Sequence, residues 1–162
     1  VLNFDGTKLY TEISQLLNDA RKRPIPMVRE EANIDDIIAL LVHSTHSRVL
    51  YVVDQQRKLK GTISLGMIVK HVFSHRQEPR IHGRVMMDMI TSETAHHMMR
   101  RHPVFAMEKD RVESVLRRMI RANLEEIAVL NAGRQVIGDV TMVDLLAFLR
   151  DSGQRTRVVS KR

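Results

Sequence analysis

Gly138-Asp139-Val140-Thr141-Met142-Val143-Asp144-Leu145-Leu146 decides the fold, because a counterpart, Gly61-Thr62-Ile63-Ser64-Leu65-Gly66-Met67-Ile68-Val69, stands 77 positions earlier. Each stretch follows an apolar, strand-like run: Val49-Leu50-Tyr51-Val52-Val53-Asp54 in the first case, Ile127-Ala128-Val129-Leu130-Asn131 in the second. Self-similarity at a fixed period marks a duplicated structural unit.

The correspondence continues upstream. Ile34, Ile37, Ile38, Leu41 and Val42 keep one-face helical spacing, and so do Val112, Val115, Leu116, Met119 and Ile120. Here the offset is 78, so a loop absorbs a one-residue change in length. Extended segments beside a proline, Pro26-Met27-Val28 and Pro103-Val104-Phe105, open the two copies, and Asn33 and Asp110 are placed as helix N-caps. Each copy therefore reads β-α-β-β-α, with closing helices over 65–73 and 142–149. A unit of this size cannot bury both faces of its sheet alone. The expected fold is α/β (α+β), two such repeats packed with pseudo-two-fold symmetry, plus an N-terminal helix.

The boundaries follow. Residues 1–23 carry the stripe Leu9, Ile13, Leu16, Leu17 and Ala20, expected to form a helix packing on the first repeat. Residues 24–76 are the first repeat, 77–97 a linker and helix, 98–151 the second repeat, and 152–162 a basic flexible tail.

The second copy's Gly-Asp-Val-Thr-Met-Val-Asp-Leu-Leu resembles the Gly-h-h-Thr-x-x-Asp-h-h pattern (h, apolar) of the cystathionine-β-synthase (CBS) domain, and the whole resembles a tandem CBS pair, or Bateman module. The first copy keeps the hydroxyl as Ser64 but has Met67 where the pattern has aspartate. The resemblance covers about residues 24–151. It implies a regulatory module, not an enzyme, that binds an adenine nucleotide (AMP, ADP or ATP) or S-adenosylmethionine between its repeats and controls a partner or an attached domain. It also implies a homodimer formed through the closing helices.

Physically, a strand ending in Thr141 with Asp144 three residues on sets both side chains at a helix start, where free N–H groups favour anions. Asp144 can accept both hydroxyls of a ribose. The same spacing also suits a capping box, in which the two residues satisfy each other's backbone donors. Mapped from the resemblance, the second repeat's site uses Pro103 and Val104 near the base, Ile127 and Ala128 as an apolar wall, and Thr141 and Asp144. The first repeat's site, weakened by the missing aspartate, uses Pro26, Met27, Leu50, Tyr51 and Ser64. Arg100 and Arg101 are candidate phosphate contacts.

The 162 residues are 43% apolar and 28% charged, which suits a folded globular chain. No apolar run reaches the roughly 20 residues of a membrane span, and no secretory signal is visible. The absence of cysteine removes disulfides and thiolate chemistry and fits a cytoplasmic location. The chain begins at Val1, which raises the expectation of a longer parent polypeptide. The net charge of +7 would suit nucleic acid, but no known reader motif appears and only 4% of residues are aromatic, so this is the least favoured function. The closer alternative is a structural dimerisation module with vestigial sites. Eight histidines include His43 with His46, His71 with His75, and His96-His97, none with the convergent ligand set of a metal site, so no metal is expected. Ten methionines are read as core and interface fillers. The helix over 142–149 is apolar on more than one face and is expected to be buried on two sides.

Overall fold

The computed structural model describes residues 4–19, 23–74 and 93–150. Residues 77–92 of the expected linker and helix, His75 and the basic tail lie outside the described residues.

A 3-10 turn, Gly6–Tyr10, and helix α1 (Ile13–Asp19) lead the chain. The first repeat follows as β1 (Met27–Arg29), α2 (Ile34–His43), β2 (Val49–Val53), β3 (Leu59–Ser64) and α3 (Leu65–Ser74). Then come α4 (Ala95–Met98) and β4 (Arg100–Arg101). The second repeat is β5 (Phe105–Met107), α5 (Val112–Arg121), β6 (Glu126–Leu130), β7 (Val136–Thr141) and α6 (Met142–Leu149). Both copies thus show the expected β-α-β-β-α order. One sheet runs β1-β2-β3-β4 and the other β5-β6-β7; in each, the first pair is parallel and the next antiparallel.

Strand alternation divides each sheet into two faces. Leu50, Val52 and Ile63 point outward to pack under α2 and α3, as Ile127, Val129 and Val140 do under α5 and α6. The opposite faces, Tyr51 and Val53 against Ala128, Leu130 and Val136, meet in a third core between the sheets. Removing both inner faces from water solves the burial problem that one repeat alone could not. The hairpins match too: Arg57 and Arg134 both sit at φ 63°, in turns tied by Asp54 and Asn131 side chains.

Two local expectations are corrected. The N-terminal helix packs on the second repeat, not the first: Ile13 and Leu16 are buried among Val112, Met119, Val140 and Leu145. Backbone bonds from Ile13 to the Asp110 carbonyl (2.8 Å) and from Val112 to the Thr11 carbonyl (2.9 Å) fix it there. Gly138 makes room for this helix: a Cβ there would fall 2.8 Å from Leu17 Cδ2. Its counterpart Gly61 does the same for the segment after α4, where a Cβ would lie 2.6 Å from Met99 Sδ. The motif glycines are thus required by close approach. Asp110 is also not a side-chain N-cap. Arg111 holds that position without a capping bond, because the Asp110 carboxylate accepts instead from the Met107 amide and the Arg118 guanidinium, each at 3.0 Å. Asn33 does cap α2, accepting from the Asp36 amide at 2.9 Å.

Helix α6 buries Leu145 and Leu149 but leaves Val143 and Leu146 exposed, so within the chain only one of its sides is covered. No helix among the described residues is long and apolar enough to cross a membrane.

Candidate functional site

At the end of β7 the strand turns directly into α6. Thr141 Oγ1 accepts from the Asp144 amide (3.1 Å), and Asp144 Oδ2 accepts from the Thr141 amide (2.9 Å). The capping box is therefore formed. It also holds the Asp144 carboxylate rigidly at the first turn of the helix, where the free N–H groups favour negative charge.

A third residue joins them. Arg23, just before β1, donates Nη1 to Asp144 Oδ1 at 3.2 Å and Nη2 to Oδ2 at 2.7 Å, a bidentate pair. Its Nε reaches Asp139 Oδ1 at 3.3 Å. Burial works to raise the Asp144 pKa, but the Arg23 guanidinium and the two Thr141 hydrogen bonds outweigh it and hold the carboxyl below its ordinary range. Asp139 goes the other way: burial pushes its carboxyl up, with Arg23 only partly offsetting it. The hydrogen bond to Asp144 pushes the Arg23 pKa up further, so the cation is permanent.

A cleft of about 600 Å³ opens beside this cluster, lined by Arg23, Thr141, Met142, Val143 and Asp144 on one side and by Thr45, His46 and Arg48 of the first repeat on another. A second cleft of about 700 Å³ lies around the equivalent junction of the first repeat, where Ser64 Oγ accepts from the Met67 amide at 3.2 Å. Its walls are Arg48, Val49, Tyr51, Thr62, Ser64 and Met67 together with Arg100, His102, Pro103, Val104, Leu124 and Ile127. Both clefts share a wall at Glu126. Its carboxylate accepts from Ser47 Oγ at 2.5 Å and from the Arg48 amide at 2.8 Å, tying one repeat to the other.

The clefts regroup the residues marked in the sequence. Pro103, Val104 and Ile127 do not share a cleft with Thr141 and Asp144; they face Ser64 and Tyr51 across the first cleft. The cause is β4, which pairs with β3 and so carries the segment leading into the second repeat across to the first. Arg100 and Arg101 part company for the same reason. Arg100 lines the first cleft, whereas Arg101 donates to His96 Nε2 at 2.8 Å. Leu50 lies in the outer core of the first repeat, and Ala128 and Met27 lie in the core between the sheets. Pro26 is buried, its carbonyl accepting from the Tyr51 amide at 2.9 Å.

Arg23, Asp139, Glu126 and Ser47 were not marked. Arg23 had a legible signal: it stands 77 positions before Arg100, the spacing of the motif glycines, but within Arg21-Lys22-Arg23 it reads as surface charge. Among the described residues no group of three or more histidines and carboxylates gathers as a metal site.

The profile described as CBS domain matches twice, over residues 17–74 and 95–151. The chain belongs to the CBS-domain family. Its tandem CBS pair has the fold of several solved structures. One is the CBS domain of a CBS-domain-containing membrane protein from Sphaerobacter thermophilus, with 24% identity, 88% of this chain and 90% of that one covered, and a TM-score of 0.65. Another is CBSX2 in complex with AMP, at 17% identity, 85% and 94% coverage and a TM-score of 0.67. A third is the CBS domain pair of the protein MJ0100 with 5′-methylthioadenosine and S-adenosyl-L-methionine, at 22% identity, 84% and 93% coverage and a TM-score of 0.63. No curated protein sequence matches the CBS pair.

Proposed function

We propose that this CBS pair is a cytoplasmic regulatory module that binds an adenine nucleotide or adenosyl compound between its repeats and passes the bound state to a partner or an attached domain. The observation that carries this reading is Asp144, an ionised carboxylate fixed by the capping box on the wall of a cleft to which both repeats contribute. Its volume falls in the range typical of small-molecule sites, roughly 300–1,000 Å³. Asp144 takes the ribose hydroxyls, and Arg48 and His46 stand across the cleft for a phosphate. Ligands of this class in CBSX2 and MJ0100 support the assignment. The exposed apolar residues of α3 and α6, among them Val69, Phe73, Val143 and Leu146, form the face on which a second copy docks.

Calorimetric titration with AMP, ATP and S-adenosylmethionine tests the reading. At least one ligand binds saturably, and Asp144→Ala weakens it about tenfold or more, as loss of a hydrogen bond to a charged acceptor requires. Absence of binding by all three would overturn it. One observation favours a second reading, a structural dimerisation module: Arg23 already engages both Asp144 oxygens. That reading gives an intact dimer that binds none of the ligands.

A further inference from the structure

The cluster beside the second cleft holds two carboxylates on one cation. Of the roughly four lone-pair sites on the Asp144 carboxylate, Arg23 takes two and the Thr141 amide one. A ribose diol needs two, so it and the guanidinium cannot occupy Asp144 together. Arg23 has a second place to go. Its Nε and Nη2 already stand 3.3 Å from Asp139 Oδ1, and Asp139 Oδ2 has no hydrogen-bond partner among the described residues. Asp139 lies opposite Ala128 in the sheet, so its buried side chain shares the face that packs between the repeats. The charged groups that act on it are Arg23 ahead of β1, Glu126 on β6 and Asp144 on α6. The Tyr51 phenol of β2 stands near, kept protonated by burial, with its hydroxyl also unpartnered. Glu126 is committed to Ser47 and the Arg48 amide. Burial and the two other carboxylates favour the neutral form of Asp139, and Arg23 opposes them. The proton on Asp139 therefore depends on where Arg23 sits. The first repeat has Arg100, Thr62 and Met67 at the corresponding places, so this arrangement belongs to the second cleft.

We propose that Arg23 gates the second cleft: it closes the cleft by holding Asp144, and when a ribose takes Asp144 the guanidinium turns inward onto both oxygens of Asp139, which gives up its proton to solvent. The balance is one O–H bond broken at Asp139 and one proton passed to the buffer for each ligand bound. Linkage fixes the sign. Binding that releases a proton tightens as pH rises, across the interval between the Asp139 midpoints of the filled and the empty protein. The inference rests on the reading of Asp144 as the ribose contact.

The test is calorimetric titration of the unaltered chain with AMP from pH 4.5 to pH 7.5, repeated for Asp139→Asn and Arg23→Met. The AMP phosphate and His46, which faces the cleft, are common to all three proteins. Against that background, affinity in the unaltered chain rises several-fold more over the range than in either variant. Asparagine mimics the protonated acid, so Asp139→Asn matches the unaltered chain at low pH and falls behind it at high pH. Carboxyl-carbon NMR of the unaltered chain needs no variant: the Asp139 midpoint falls by about one pH unit or more on saturation with AMP, as a closer opposite charge requires. Equal slopes in all three proteins, or an Asp139 midpoint that stays or rises on saturation, would overturn the inference. No saturable binding of AMP would overturn it as well, whereas the earlier reading would then stand or fall on ATP and S-adenosylmethionine. AMP binding that survives Asp144→Ala would remove the ribose contact and this inference with it.

Discussion

Arg23→Met is the most informative single change. The substitution keeps a long apolar stem and removes the guanidinium that bridges Asp139 and Asp144. Only one of the three contacts, 2.7 Å to Asp144 Oδ2, is short; the others are 3.2 and 3.3 Å. A hydrogen bond to a charged group contributes about 1.5–3 kcal/mol, and an exposed ion pair about 0–1. The Arg23 and Asp144 side chains are 21% and 18% exposed, so solvent screens part of the interaction. Asp139, at 3%, is left buried beside a second carboxylate with no cation. Weighing these, the expected loss is about 2 kcal/mol at pH 7. For a chain of this size that lowers Tm by about 4–8 °C. Urea unfolding measures it, with an unchanged denaturant slope showing that the unfolded state is not the cause. The same variant frees the Asp144 oxygens, so AMP binds several-fold more tightly if its ribose competes with the guanidinium. A loss below about 0.5 kcal/mol, or no coupling with Asp144→Asn in a double-mutant cycle, would refute the argument that Arg23 holds this junction together.

Asp139→Asn has an effect that depends on pH. Burial raises the folded-state pKa above the ordinary 3.8. The stability Asp139 contributes is therefore present below that value and is lost as pH rises through the folded pKa. Asparagine mimics the protonated form, so the variant gains on the parent between pH 3.5 and pH 7; a pH-independent difference in urea midpoints would contradict this. Asp144, held low, behaves in the opposite sense, stabilising above its ordinary pKa and losing that contribution as pH falls through its folded pKa. Gly61→Ala costs about 1–3 kcal/mol in chemical denaturation, because the added Cβ meets the Arg100 carbonyl at 2.9 Å as well as Met99. Gly138→Ala costs less, since it meets only the Leu17 side chain, and Leu17→Ala cancels the penalty. Equal costs for the two glycines, or no rescue, would show that close approach is not what these positions require.

The repeat, the element order and the Thr141–Asp144 junction were legible because hydrophobic period and turn chemistry are local properties. Val49 to Val53 and Ile127 to Leu130 announce buried strands, and the Gly-x-x-Ser/Thr marks where strand becomes helix. What sequence did not show depends on where chain segments cross in space. Nothing local in Ile13 and Leu16 tells which repeat they cover, since both repeats carry a glycine at the crossing; that is fixed by backbone bonds to Asp110 and Val112, seen only in the folded chain. Pro103 was grouped with Asp144 by mapping the resemblance within one repeat, whereas β4 carries it to the other cleft. Glu126, unmarked in the sequence, spans the repeats to Ser47.

The crossing of the two leading helices governs what happens when the chain is cut. A break between the halves leaves the N-terminal piece holding α1, which covers the C-terminal piece, while the C-terminal piece holds α4, which covers the N-terminal one. Separately, each fragment exposes the inner face of its sheet and carries a helix with nothing to cover. Mixed, the two pieces are expected to restore each other, and the halves of the intact chain to melt as a single unit.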